Sequence, residues 1–172
     1  IAVPTTAGTG SEATPYSILT VHKEKNKKNF STPDTFYKKA FLDGRYTINL
    51  PLQIARNTFV DTMCHLCEGY TDKKASDKTD NVALFALEIL GKHKNKFLDG
   101  RFDIKSCEEL LYASMLGGAV ITHTGTTVIH SMGYPLTYYK GIPHGRANGI
   151  ILGEYLKRTA LVLPEKINNI LK

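Results

Sequence analysis

From Leu50-Pro51 to the end of the chain, each segment has the apolar spacing and the capping residues of an α-helix. Proline suits the first turn of a helix because an N–H group at that position would have no partner within the helix. Ser76-Asp77 is typical of a helix start, and Ser106 with Glu109 three residues later matches a capping box. We therefore predict a helical domain over residues 50–172 and a fold that is mainly α.

Residues 1–49 show a different pattern. Tyr16 to Val21 is rich in β-forming residues, and a second extended piece begins at Phe30, after a polar run with four lysines. This pattern predicts a β-hairpin with a solvated, lysine-rich tip. Ala40-Phe41-Leu42 is expected to form a short buried strand.

The region around His130 is rich in small residues. The third helix is expected to end, or to cross a neighbour closely, at Gly117-Gly118. Because small side chains permit close packing, Ala119 to Met132 is predicted to be one central element, with His123 and His130 on the same side. We interpret His123 as an ordinary core or surface histidine.

A turn at Gly133 and Pro135 is predicted to follow this element. An aromatic loop, Tyr138-Tyr139, then leads to His144, which is expected to lie in a tight loop of its own. A long helix is predicted from about Ala147 to Leu161.

The composition favours one ordinary globular unit. The chain has 42% hydrophobic and 22% charged residues, which suits a single core. Its net charge of +6 is dispersed apart from one lysine-rich run, so it does not indicate a nucleic-acid partner. Because no apolar run reaches membrane-spanning length, we predict a cytoplasmic protein with neither a nucleic-acid nor a membrane partner.

The cysteine count argues against a disulfide framework, because Cys64, Cys67 and Cys107 are an odd number. Cys64 and Cys67 form a C-x-x-C pair, but no second pair completes a zinc knot. We interpret them as buried, reduced thiols.

Asp61 and His65 are four residues apart in the first predicted helix, so their side chains lie on one face. Such a pair often occurs by chance. With His130 and His144 it would make a set of one carboxylate and three imidazoles, which suits Fe(II) or Zn(II).

The stretch from Pro4 to Glu12 combines two glycines with several hydroxyl side chains. Such a loop can hold a phosphate or a ribose, because glycine permits close backbone approach and hydroxyls bond anionic oxygens. A solvent-exposed turn explains the composition equally well, and the spacing matches neither common nucleotide motif.

Together these motifs resemble the iron-containing (group III) alcohol dehydrogenase family. The Pro4 to Glu12 loop, the Asp61-x-x-x-His65 helix that continues into Glu68-Gly69-Tyr70, and His130 followed by Pro143-His144-Gly145 occur in that family's order. The resemblance covers the whole chain, although members of the family are more than twice as long. It implies that residues 1–49 are left over from an α/β dinucleotide-binding domain and that residues 50–172 are a helical metal-binding domain, truncated at its C-terminus.

The resemblance also implies functional residues. Asp61, His65, His130 and His144 correspond to the metal ligands, while Thr5, Thr6, Thr9 and Lys28 correspond to residues that contact NAD or NADP. Many members have a histidine four residues after the third ligand, and this chain has Tyr134 there. Tyr134 is therefore the candidate catalytic residue, a hydrogen-bond donor in place of a histidine proton relay.

The implied activity is metal-dependent oxidation of a small alcohol, or reduction of an aldehyde, with Fe(II) or Zn(II) and NAD or NADP. A homo-oligomer is compatible with this activity. The alternatives are a zinc-dependent enzyme of the glycerol dehydrogenase type and a non-catalytic helical fragment. This chain is expected to be inactive alone, because the pyrophosphate-binding half is missing from it.

Overall fold

The computed structural model describes all residues, 1–172, and its fold is mainly helical, as predicted. A two-stranded hairpin precedes seven α-helices. Their bounds are β1 Ser17–Val21, β2 Asn26–Phe30, α1 Leu52–Thr71, α2 Asp77–His93, α3 Lys96–Asp99, α4 Ile104–Thr124, α5 Val128–Lys140, α6 His144–Ala160 and α7 Pro164–Ile170. None of the helices combines the length and the apolar character that a bilayer crossing requires.

Capping residues explain where the helices begin. Ser76 caps α2 as predicted, in a capping box with Thr79. The predicted start of α4 at Ser106 is wrong, because Asp103 is the N-cap and accepts from the Ser106 N–H at 2.8 Å. Ser106 is the third helical residue and its hydroxyl accepts from the Asp103 N–H at 3.0 Å. The box therefore lies three residues earlier than the sequence suggested.

The predicted single element from Ala119 to Met132 is divided between α4 and α5. Helix α4 continues through Gly117-Gly118 to Thr124, and Gly125 then adopts a φ of 83°, which ends the helix. His123 is exposed near the end of α4, whereas His130 is buried in α5. The two histidines do not share a side of one element.

The predicted turn after His130 is also wrong. Gly133, Pro135 and Tyr138-Tyr139 all lie within α5, which continues to Lys140. Proline lacks an N–H group and usually interrupts a helix. Here the helix continues past Pro135, although Gly133 and Pro135 both favour a turn.

The hairpin forms as predicted, but its second strand begins earlier. Strands β1 and β2 are antiparallel, with Leu19 opposite Lys28 and Thr20 opposite Lys27. Two of the four lysines thus lie in β2 and not in the tip. The buried strand predicted at Ala40-Phe41-Leu42 is wrong, since Ala40 makes only an isolated parallel bridge to Ala2 and is exposed. A single parallel bridge does not make a strand, because parallel strands are usually found in sheets whose two faces are covered by other elements.

Helix α1 is the centre of the packing. One face contributes Leu66 and Tyr70 to the main apolar core, which is shared with α2 and α4. Another contributes Cys64 and Cys67 to a smaller cluster with Ile129 of α5 and Leu152 of α6. Because α1 packs on both sides, the polar side chains between these faces are held rigidly.

The Pro4 to Glu12 loop packs directly on α1 and α4. The Gly10 N–H donates to Ser114 of α4 at 3.2 Å, and the Thr62 hydroxyl of α1 donates to the Gly8 carbonyl at 3.1 Å. A Cβ atom at Gly118 would collide with the Gly10 backbone. The close approach that glycine permits is thus used for packing against α4.

Candidate metal centre

Three acidic or imidazole side chains of α1 point to one buried region. Asp61, His65 and Glu68 follow one another at spacings of four and three, which places them on one helix face. Asp61 and His65 are at most 4% exposed, and Glu68 is fully buried. Two carboxylates removed from water in this way require compensating partners.

His130 of α5 lies against this face. A nitrogen or oxygen atom from each of Asp61, His65 and His130 lies within 4.8 Å of the others. The His130 Nε2 atom is 3.5 Å from Asp61 Oδ1. The rings of His65 and His130 are stacked, with centroids 4.5 Å apart.

His144 approaches from a third helix. It is the first residue of α6 and not part of a loop, because the helix begins three residues before the predicted Ala147. Its Nε2 atom is 3.5 Å from Asp61 Oδ1, and its ring centroid is 5.4 Å from that of His130. The side chain is 30% exposed, so His144 forms the rim of the cluster.

The cluster fits a metal ion in two respects. Atoms that share an ion at about 2.1 Å in a tetrahedral arrangement lie about 3.4 Å from each other, close to the 3.5 Å from Asp61 to His130 and to His144. In addition, His65 Nδ1 and His130 Nε2 are buried without a hydrogen-bond partner. Most buried polar atoms in proteins have a partner, and a bound ion would supply one to the Nε2 atom that lies beside Asp61.

Glu68 fixes the orientation of His130, a role that the sequence analysis did not assign. Its Oε2 lies 2.5 Å from His130 Nδ1, while Oε1 accepts from the N–H groups of Thr127 and Ile129. With Nδ1 held by Glu68, Nε2 is the ring nitrogen that faces Asp61, and its proton would leave when a metal ion binds there. The spacing of Glu68 from Asp61 and His65 was the signal available in the sequence.

Asn148 supports the opposite side of the cluster. It follows His144 by one turn of α6, and its Nδ2 donates to Asp61 Oδ1 at 2.9 Å. The carboxylate is therefore oriented from α6 as well as from its own helix. No sequence motif indicated this contact.

The charges of the cluster are strongly coupled. Burial opposes ionisation of Asp61, but the surrounding histidines more than offset it and hold its pKa below the usual range. Burial lowers the pKa of His65 to about 4, so this ring is neutral at pH 7. Burial acts against the charge of His130 too, yet the adjacent carboxylates of Asp61 and Glu68 raise its pKa to about 9. Burial, with smaller contributions from His130 and Lys27, lowers the pKa of His144.

Cys64 and Cys67 adjoin the cluster in sequence but belong to the small apolar core beside it. Burial raises the pKa of Cys64 far above its usual range and that of Cys67 to about 12. Both side chains pack in the small apolar cluster and stay protonated. A thiolate ligand is therefore unfavourable at either position.

An open cleft of about 620 Å³ leads to the cluster. Tyr134 forms part of its wall, with its ring stacked 5.7 Å from that of His144. Burial raises the pKa of the Tyr134 hydroxyl, which therefore remains a proton donor at neutral pH. Thr9 also lines the cleft.

The other predicted cofactor residues lie outside this cleft. Thr6 lines a neighbouring cavity that shares Thr9 with it, and Thr5 is exposed and lines neither of the two. Lys28 points away, where it pairs with Glu24 at 2.6 Å, and Lys27 faces the cleft instead. The structure thus brings together the four predicted ligands, Tyr134 and Thr9, but not Thr5, Thr6 or Lys28.

Comparison with known proteins gave consistent matches. The family model "Fe-containing alcohol dehydrogenase family, C-terminal" matches residues 55–172, and "Iron-containing alcohol dehydrogenase" matches residues 1–44. The 1,3-propanediol dehydrogenase of Citrobacter freundii is 28% identical over 99% of this chain and 44% of its own length.

Two solved structures share the fold. The iron-containing alcohol dehydrogenase of Thermotoga maritima is 40% identical, with a TM-score of 0.89, over 98% of this chain and 45% of its own. The sulfoacetaldehyde reductase of Bifidobacterium kashiwanohense, solved in complex with NAD⁺, is 27% identical, with a TM-score of 0.84, over 98% and 50%. The chain spans about half the length of these proteins, or less.

Proposed function

The chain belongs to the iron-containing alcohol dehydrogenase family, and from that premise we propose that it forms the metal-binding part of an NAD(P)-linked alcohol dehydrogenase or aldehyde reductase. The observation that carries the proposal is the convergence of Asp61, His65, His130 and His144 from three helices at the base of one cleft. Because the chain spans about half of its relatives, the activity is proposed for the complete polypeptide.

In this proposal Asp61 and the three histidines hold one divalent ion, Fe(II) with Zn(II) as the alternative. When bound, the ion supplies Lewis-acid polarisation of the substrate oxygen, and the dinucleotide supplies or accepts the hydride. Glu68 holds His130 through Nδ1, which leaves Nε2 as the nitrogen that would bind the ion, and Asn148 keeps the Asp61 carboxylate in place. One carboxylate and three imidazoles suit either metal.

Tyr134 is proposed to act on the substrate side of the cleft. Its hydroxyl stays protonated at neutral pH, since burial raises its pKa, so it donates a hydrogen bond and does not act as a base. From its place beside His144 it can hold the oxygen of a bound alcohol or aldehyde. This role replaces the histidine relay implied for other members of the family.

The dinucleotide is proposed to enter the cleft past Thr9, with Thr6 in the adjoining cavity. The NAD⁺ complex of the sulfoacetaldehyde reductase supports NAD as the cofactor class. Thr5 and Lys28 contribute to this proposal only if the remainder of the dinucleotide passes outside the cleft. The same proposal divides the chain into a remnant of the dinucleotide-binding domain, residues 1–49, and a helical metal-binding domain, residues 50–172.

The four candidate ligands support the iron branch over a zinc enzyme of the glycerol dehydrogenase type, for which fewer protein ligands are expected. The cytoplasmic location, the absence of a nucleic-acid partner and a homo-oligomer stay predictions from the sequence.

The test is reconstitution of the complete enzyme. After chelation, the protein should lose NAD(P)H-dependent reduction of short aldehydes and should regain it with Fe(II), or with Zn(II) at a different rate. The metal content should rise in parallel to about one ion per chain. A chelated protein that keeps full activity, or a metal-loaded and folded protein without activity on any alcohol or aldehyde, would contradict the proposal.

A further inference from the structure

We propose that Gly145 is a positioning residue of the metal centre. Because it has no side chain, α6 can approach the backbone of α1 closely enough for His144 to reach Asp61. This inference rests on the proposed function, since it concerns how the proposed metal site is assembled.

The contact lies one residue after His144 and one helical turn before Asp61. Gly145 is buried in the first turn of α6, and a Cβ atom added there would come within 1.8 Å of the carbonyl oxygen of Asn57. In an α-helix such a carbonyl accepts from the N–H group four residues later, which in α1 belongs to Asp61. The two helices therefore meet backbone to backbone where each contributes a candidate ligand.

The backbone conformation of Gly145 does not require glycine. Gly145 lies within a regular helix and does not have the positive φ of Gly125 or Gly141. At such a position glycine is less favourable than alanine, because it loses more conformational freedom on folding. The property that glycine supplies here is therefore space.

The obstacle to a side chain at Gly145 is rigid. The carbonyl of Asn57 belongs to the helical backbone and cannot rotate away as the end of a side chain can. Farther along, α1 is packed against α2 and α4 through Leu66 and Tyr70. Because close-packed interiors transmit strain, α6 is the element that must move, and it would move most at the end that carries His144.

His144 is the candidate ligand that depends most on the position of α6. Asp61 and His65 both belong to α1, and His130 is held by Glu68. The ring of His144 makes one hydrogen-bond contact, 3.3 Å from Asn148 Nδ2 of its own helix, and its Nδ1 has no partner. No hydrogen bond from another helix fixes this ring, so its distance from Asp61 follows the placement of α6.

Two other glycines of α6 offer graded comparisons. A Cβ atom at Gly149 would meet the Cγ1 methyl group of Val60 at 2.7 Å, and a methyl group yields more easily than backbone. A Cβ atom at Gly153 would meet nothing within 4 Å. Alanine should therefore displace α6 strongly at position 145, slightly at position 149 and not at all at position 153.

The experiment measures the Zn(II) affinity of the complete enzyme by competition with a chromogenic chelator, and Tm in EDTA, for the three alanine variants. Gly145→Ala should lower the affinity about 10- to 100-fold, as is typical when a group that orients a ligand is lost. Gly149→Ala should lower it less but measurably. Gly153→Ala should leave it unchanged and keep or raise Tm, because alanine favours a helix. A crystal structure of Gly145→Ala should place His144 Nε2 farther than 3.5 Å from Asp61 Oδ1.

A double-mutant cycle distinguishes positioning of His144 from a general loss of packing. His144→Ala removes the ligand, so adding Gly145→Ala should lower the affinity little further. If Gly145→Ala does not fold, Gly149→Ala provides the test instead. Its loss of affinity should disappear when Val60→Ala removes the methyl group that it meets.

Several outcomes would overturn the inference. One is a folded Gly145→Ala that binds Zn(II) as tightly as the wild type. Another is an equal loss of affinity with and without His144, which would make Gly145 a residue of the fold alone. Where Gly149→Ala provides the test, an unchanged affinity, or a loss that Val60→Ala does not restore, would do the same. These results leave the proposed function intact, whereas a wild-type enzyme that binds no metal would remove it.

Discussion

Replacing Glu68 with glutamine should weaken metal binding without removing a ligand. The carboxylate accepts from four donors: His130 Nδ1 at 2.5 Å, the Thr127 N–H at 3.0 Å, the Thr127 hydroxyl at 2.7 Å and the Ile129 N–H at 2.7 Å. A glutamine can keep the Oε1 contacts with its amide oxygen. Its NH₂ group then faces His130 Nδ1, where two donors would meet.

The imidazole has one way to avoid this clash. His130 would move its proton from Nδ1 to Nε2, the atom that faces Asp61 and is proposed to bind the metal. Loss of such a supporting contact typically costs 10- to 100-fold in metal affinity, or about 1.4 to 2.7 kcal/mol. The fold loses a charge-assisted hydrogen bond as well, worth about 1.5 to 3 kcal/mol at this fully buried position.

Competition with a chromogenic chelator would measure the affinity for Zn(II), and thermal unfolding in EDTA would measure stability separately. Glu88→Gln is the matched control, because Glu88 is exposed on α2 and takes no part in the cluster. If folded Glu68→Gln bound Zn(II) as tightly as the wild type, Glu68 would not control the His130 tautomer.

Three further predictions concern single residues. His65→Ala should abolish metal binding and the activity of the complete enzyme together, whereas Cys64→Ser and Cys67→Ser should keep both. Elemental analysis would measure the metal content and turnover the activity. Loss of metal in either serine variant would show that the thiols are ligands. Tyr134→Phe should lower kcat by roughly 10- to 1000-fold with metal content unchanged, because the hydroxyl is lost but the ring stays; an unchanged kcat would leave Tyr134 a packing residue. The ion pair with Lys96 and the Ser106 N–H lower the pKa of Asp103 to about 2, so its ionised form stabilises the fold above pH 4 and this contribution is lost as the pH falls towards 2. Asp103→Asn keeps the cap but lacks the charge, so its Tm should fall less than that of the wild type between pH 4 and pH 2. An equal fall of Tm in both proteins would contradict this. So would an equally reduced fall in the control variant Asp77→Asn, which changes an exposed aspartate.

Local signals predicted some of the elements whose ends depend on nearby residues, although they placed the start of α4 three residues too late. The Ser76 cap of α2 and the first helix, with Asp61 and His65 on one face, follow from spacing alone. Helix α5 does not, because the carboxylate at its N-terminus comes from Glu68, about sixty positions earlier in the chain. Gly133 and Pro135 predict a turn when only neighbouring residues are considered. The contacts of Glu68 with the first residues of α5 favour the helix instead.

The candidate site also combines residues that the sequence predicted with residues that it did not. The sequence supplied the four candidate ligands and Tyr134, but not Glu68 or Asn148, whose roles depend on which helices meet. The lysine at the cleft depends on strand register, because a shift of one residue exchanges the two faces of a strand. In the observed register Lys27 faces the cleft, and Lys28 faces away from it.

Anomalous diffraction from crystals loaded with Fe(II) or Zn(II) would test the metal centre most directly, with data collected on both sides of the metal absorption edge. The account predicts one strong peak at the base of the cleft, about 2.0 to 2.2 Å from an oxygen of Asp61 and from one ring nitrogen each of His65, His130 and His144. His130 should bind through Nε2 while Nδ1 remains on Glu68. A peak beside Cys64 or Cys67, or a metal-loaded crystal in which His144 points away from the ion, would contradict it.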